Sequence, residues 1–421
     1  MSKVDGAIKT ISPKLHRYLY DYSIKRFLEE NFNIEESIKE HNIDRSNKMI
    51  YNRLLDSIIY NNQIEEYKIN DFLIKELNYG RARNVYVSFL SNISHLKDES
   101  LIYKAVQNLD KKGVKNAVNV NKHPFVSNLW EGIPYGERRL IFFNIEKDSN
   151  ENIKNIKLLL GECIRNSDGI ESNNYIGVEI NTEYKMLVIK LRNWDNEIET
   201  DYGIDISHDK IKGKIKDAFN LSIPLLTSTM QKTVYNMINE LSDKVLSKSV
   251  NIVNEKIEKR VEEEIKKWTA CILEKETELP KEEFKVLKSA ILNNFYKMYM
   301  QNEVEELDYK SLKEIYKVDG YPRYVKFVDD TVSEGRARSS DPKESLLDTS
   351  IYYDIKARLD QAKQLKLTTI YWLGFPGYDR VGITFYTDSQ ERFKFIVKPN
   401  FFNKEMCDYV LRQIEKYRPK R

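Results

Sequence analysis

Between Lys214 and Asp319 the chain contains no glycine, and its only prolines there are Pro224 and Pro280. These two residue types most disfavour a helix interior, so so long a stretch nearly free of them directs the segment toward helix. Apolar side chains recur at Met230, Val234, Met237, Leu241, Val245, Val250, Val253, Ile257, Val261, Ile265, Trp268 and Ile272, mostly in steps of three or four. Their mean spacing of about 3.8 residues exceeds the 3.5 of a left-handed coiled coil. The expectation is one long helix, or two in line, from Thr227 to about Tyr316. Trp268 is expected in its core and KIEKRVEEEIKKW on a solvated face, while AILNNFYKMYM supplies a second apolar face after Pro280.

The N-terminal part is similar in texture, with no glycine between Gly6 and Gly80 and no proline between Pro13 and Pro124. Ser12 and Pro13 suit a helix start, followed by an apolar stripe through Leu15, Tyr18, Leu19, Tyr22, Ile24 and Phe27. Further helices are expected over Ile34 to Glu40, Ser46 to Tyr60, Tyr67 to Tyr79 and Glu99 to Leu109. The segment from Ile34 to Ile58 reads either as a helical hairpin in its own core or as a helix-turn-helix offering Arg45, Lys48 and Asn52. Lys104, Lys111, Lys112, Lys115 and Lys122 then mark a basic boundary.

After Pro134 the pattern turns to strands: Glu137 to Lys147, then NYIGVEIN and KMLVIKLRNW as a hairpin, with Asn152 to Arg165 read as a helix between the first two. In DKIKGKIKD, Lys210, Lys212, Lys214 and Lys216 alternate with Ile211, Gly213 and Ile215. On a strand this lines four ammonium groups along one face, either an edge protected by lysines or a ridge that tracks phosphates. Residues from Gly320 to Pro342 read as loop. The tetrapeptide Gly-Arg-Ala-Arg occurs there, with Arg336 and Arg338, and again with Arg81 and Arg83 after the Tyr67 to Tyr79 helix. Alternate arginines beside a glycine can hold phosphate by paired hydrogen bonds, or at the first site answer a helix dipole; Asp329, Asp330 and Glu334 would compete at the second. The chain closes with a helix from Ser345 to Lys366, strands LTTIYWLGF, RVGITFYTD and RFKFIVK, and a helix from Phe402 to Tyr417. The aromatic side chains of those strands either fill a core or stack bases beside Arg380, Arg392 and Lys394.

These readings assemble into an α+β, multidomain chain: a helical bundle (1–110), an α+β unit with a short antiparallel sheet (111–225), a long helical connector (226–319), and a domain with a three-stranded antiparallel meander and flanking helices (320–421). The 68 Lys and Arg against 65 Asp and Glu leave a net charge of +3, too small over 421 residues for a whole-protein field, so a nucleic-acid site must be a local patch. Cys163, Cys271 and Cys407 are dispersed, as are five histidines. No metal or cofactor is expected, and a reducing, cytoplasmic setting without membrane contact fits. Three functions follow in order: a non-catalytic adaptor with a protein partner or self-association; a sequence-independent nucleic-acid binder using Arg81, Arg83, Lys210, Lys212, Lys214, Lys216, Arg336 and Arg338; and a metal-dependent nuclease using Glu171, Glu179 and Lys190.

Overall fold

Strand pairing brings together segments distant in sequence, and helices cover the faces so formed. The structure, a computed structural model, describes residues 11, 13–16, 18–46, 48–81, 84–115, 124–126, 133–165, 171–192, 203–225, 227–273, 279–303, 307–328, 333–375, 377–389, 392–398 and 402–419. It is mixed helix and strand, and the chain divides into two compact units. The first holds residues 1–224 and 400–408, the second 225–399 and 409–421.

In the first unit six strands, β1 (Asn84–Phe89), β2 (Phe125–Val126), β3 (Arg138–Lys147), β4 (Ile153–Arg165), β5 (Glu171–Asn181) and β6 (Met186–Leu191), lie antiparallel in the order β2-β3-β4-β5-β6-β1. One face packs Leu158, Leu160, Ile176, Val178 and Ile189 against the helices Glu99–Lys111 and Ile204–Ala218. The other packs Leu159, Cys163 and Tyr175 against the N-terminal helices. Both faces of β4 are therefore buried, and its run of apolar residues carries no period that separates strand from helix. That is why the helix expected over Asn152 to Arg165 is a strand. DKIKGKIKD is the opposite correction, for it lies within the helix Ile204–Ala218. Its buried positions His208, Ile211, Ile215 and Ala218 fall at steps of three and four, so the helical period governs.

The N-terminal segment also departs from expectation. Its first helix is broken into Pro13–His16 and Asp21–Asn31, with Tyr20 extended at the second start. The break lets the buried Tyr18 donate its hydroxyl to the Tyr175 carbonyl at 3.2 Å. Ser12 lies outside the described residues. The helix Glu66–Lys75 ends in a π-turn, Glu76–Gly80, and β1 follows it, fully buried, inside the segment read as a helical bundle with no strand. An absence of glycine disfavours neither element, and Val85 and Val87 suit a strand. The helix-turn-helix reading fails on burial. Asn52 is buried with its Oδ1 3.2 Å from His16 Nδ1, and Arg45 pairs with Glu35.

In the second unit the expected long helix runs from Thr227 only to Ile272, and the segment after it folds back instead of continuing in line to Tyr316. The first half of the long helix buries Met230, Val234, Met237, Leu241 and Val245, and packs on strands β7 (Gly320–Val328), β10 (Arg380–Ser389) and β11 (Arg392–Val397). Adding β8 (Glu334–Arg338) and β9 (Leu367–Leu373), the order here is β11-β10-β9-β7-β8, all antiparallel. β7 and β8 occupy the stretch read as loop, so the expected three strands are three of five. From Pro280 the helix Lys281–Glu303 turns back along the distal half of the long one: Ser249 contacts Met300 at 2.9 Å, Tyr296 donates to Asn254 at 2.6 Å, and Lys288 reaches Glu258 at 2.6 Å and also Glu262. Val261 and Ile265 are buried in this hairpin, whereas Trp268, expected in the core, is 51% exposed. Among the described residues no helix is long and apolar enough to cross a membrane.

Candidate nucleic-acid interface

The second Gly-Arg-Ala-Arg is strand β8. Gly335 and Ala337 turn inward beside Phe327 and Val325, and Arg336 and Arg338 stand exposed on the other side. Gly335 is required there, for a Cβ would lie 2.4 Å from the Phe327 ring. The register carries this outward face across all five strands. One row reads Arg336, Lys326, Leu367, Tyr386, Lys394, and the next Arg338, Tyr324, Thr369, Thr384, Ile396. At about 4.8 Å per strand the rows span roughly 19 Å. The inward face carries Val325, Phe327, Ile370, Trp372, Ile383, Phe385, Phe393 and Phe395, all buried. The core use of the aromatic residues foreseen from sequence therefore occurs on the inward face, while Tyr324, Tyr371 and Tyr386 lie on the outward one.

Tyr371 is the centre of the outward face. Its ring lies over Gly382, where a Cβ would meet it at 3.0 Å. The Arg323 and Arg380 guanidiniums and the Lys398 ammonium each stand 5.8 Å from the ring centroid. Arg323 is only 8% exposed; one of its nitrogens, Nη1, donates to the Tyr371 hydroxyl at 3.4 Å, and its buried Nε has no hydrogen-bond partner. Partial burial, then the neighbouring Arg323 and Arg338, hold the Lys398 ammonium below its usual pKa. Among the described residues, none of Arg323, Arg336, Arg338, Arg380 and Lys398 has a carboxylate within ion-pair distance. Glu334 is tied to Lys326 at 2.9 Å, and that hydrogen bond lowers its pKa. Asp329 and Asp330 lie outside the described residues. Crowded like charges raise the free energy of this face, and a nearby anion would lower it.

The other basic residues do not converge in this way. Lys210 and Lys214 point to one side of their helix and Lys212 and Lys216 to another, so no four-lysine row exists. Lys214 is held below its usual pKa by partial burial, and Arg138 adds to this. Arg81 donates to the Leu19 carbonyl at 3.2 Å and lies 4.5 Å over the Tyr20 ring, which fixes it within the fold; Arg83 is outside the described residues. Sequence reading missed Arg323, Lys326 and Lys398. The alternation Arg392, Lys394, Ile396, Lys398 could have found the last, but Arg323 is itself the extra residue of a bulge that no periodicity announces.

In the first unit the structure joins Glu179 and Lys190, 3.5 Å apart and 2% and 1% exposed. Lys190 also sits 4.0 Å over the Tyr79 ring. Glu171 is eight positions along β5 from Glu179, about 26 Å in a strand, and pairs with Arg165 at 2.8 Å. Among the described residues no group of three His, Cys, Asp or Glu could hold a metal ion. The same unit has a cleft of about 420 Å³ bordered by Arg26, Phe27, Phe72, Glu76, Tyr79 and Phe402. Burial pushes the Glu76 carboxyl up to about 7, against a hydrogen bond with Ser23 and the charge of Arg81. The chain matches no known protein family, no curated protein and no solved structure.

Proposed function

We propose that the chain is a non-catalytic, cytoplasmic interaction protein that binds single-stranded nucleic acid, without regard to sequence, on the outward strand face of its second unit. The observation that carries this reading is that, among the described residues, neither Arg323, Arg380 and Lys398 around Tyr371 nor Arg336 and Arg338 on the same face has a carboxylate within ion-pair distance. Arginine and lysine neutralise phosphates, and tyrosine rings on a pleated surface stack bases of any identity.

The test is titration of a labelled thymidine 20-mer by fluorescence anisotropy at several salt concentrations. Arg336→Ala with Arg338→Ala is expected to lower the slope of log affinity against log salt by about 1.4, at about 0.7 per lost phosphate contact on a single strand. Its thermal midpoint should hardly move, since both side chains are exposed. Binding and slope unchanged in this variant would end the proposal.

A further inference from the structure

The helix Lys281–Glu303 is apolar on two opposite sides. Leu292, Tyr296 and Met300 are buried on the side that faces the long helix. At 100° per residue, Phe284, Leu287, Ile291, Phe295 and Met298 fall within about 80° of one another on the other side. Leu287, Phe295 and Met298 are 39%, 37% and 55% exposed, and Phe284 and Ile291 are half-buried. The helix Ser350–Ala362 flanks this one through Lys297–Asp354 and Gln301–Ser350, on the edge and not over the stripe.

The stripe's spacing reads three, four, four, three, so it is symmetric about Ile291. Phe284 and Met298 lie seven residues to either side, Leu287 and Phe295 four. A surface with this property is complementary to itself under a two-fold rotation, which is the requirement for a closed homodimer. A heterologous partner would need none of this.

We infer that two copies of this chain associate through antiparallel pairing of their Lys281–Glu303 helices, with the two-fold axis at Ile291. A single four-turn seam is smaller than a permanent interface, so the dimer forms reversibly with concentration. The inference is independent of the nucleic-acid reading.

Sedimentation velocity of the full chain without nucleic acid, from about 1 to 100 µM, should show the average mass rising toward twice that of one chain, as interfaces of this size imply. Leu287→Glu with Phe295→Glu sets carboxylates against each other at both contacts and should leave a monomer with unchanged circular dichroism. Geometry is tested by oxidation in a Cys271→Ser background, since Cys271 is the exposed cysteine. Ile291→Cys should cross-link to a covalent dimer, and Met298→Cys should not, because only the residue on the axis meets its own copy. A monomer throughout, a dimer indifferent to the double substitution, or equal cross-linking at both positions would each overturn the inference.

Discussion

The strand faces of the two units treat charge in opposite ways. In the first unit charges on β3 to β6 are matched: Glu146 with Lys157 at 2.6 Å, Arg138 with Glu162, Glu179 with Lys190. Asn174 donates a further bond to Glu162 at 3.1 Å. In the second unit Arg323, Arg338, Arg380 and Lys398 gather without an acid among the described residues. A charge taken out of water needs a counter-charge nearby, which the buried pairs of the first unit have within the chain; most cations of the second unit's face are solvated and have none. The position of a charge on a strand does not separate structure from binding; whether it already has a partner does.

The comparison breaks most visibly if matched charges in the first unit prove dispensable. Lys190→Met leaves Glu179 buried without its closest partner and should lower stability by about 3–5 kcal/mol, read from the urea midpoint. Adding Glu179→Leu should restore much of that loss, since the pair as a whole contributes little net energy. Lys157 lies beside Glu179 in register and softens the single substitution. Equal stability of the single variant and the parent would remove the basis for calling this unit's charges structural.

Glu76 is the exception within the first unit, and it sharpens the contrast through pH. Its Oε2 is buried without a hydrogen-bond partner. With a folded pKa of about 7 against 4.5 in the open chain, the native state holds the extra proton between these values. Stability therefore falls as pH rises from about 4.5 to about 7, by at most about 3 kcal/mol, and is flat above. Glu76→Gln should flatten that slope and raise stability at pH 8. Denaturant midpoints at pH 5 and 8 in both proteins check it, and parallel profiles would count against a buried acid here.

The smallest effect concerns the second unit's tyrosine. Tyr371→Ala should weaken single-strand binding by about 1–3 kcal/mol, the contribution of one stacked base, while Tyr371→Phe binds nearly as the parent does. Phe behaving like Ala in the same anisotropy titration would shift the role from the ring to the hydroxyl that accepts from Arg323.

The long helix was legible because the lack of glycine from Lys214 to Asp319 coincides with apolar residues at steps of three and four, from Met230 to Ile272, which strand periodicity does not give. β4 was not, since Leu158, Leu159 and Leu160 are all buried and leave no alternation. Ile211 and Ile215 stand four apart, a spacing that satisfies the periods of strand and helix alike, and only packing decided between them. Arg336 and Arg338 were found by motif, although their strand was not. Their neighbours Arg323 and Lys398 come close through pairing of β7, β9 and β10, a relation that no local window contains.

One irregularity in β7 governs which face the cations occupy. Tyr321 lies beside Tyr371, but Tyr324 lies beside Thr369, so one extra residue sits between them. Side chains of a strand alternate, and an unbroken β7 would send Lys326 toward Trp372 and turn Val325 and Phe327 to water. The division between oil and charge in this unit thus depends on a count of residues, and the segment around Arg323 can change its letters more easily than its length.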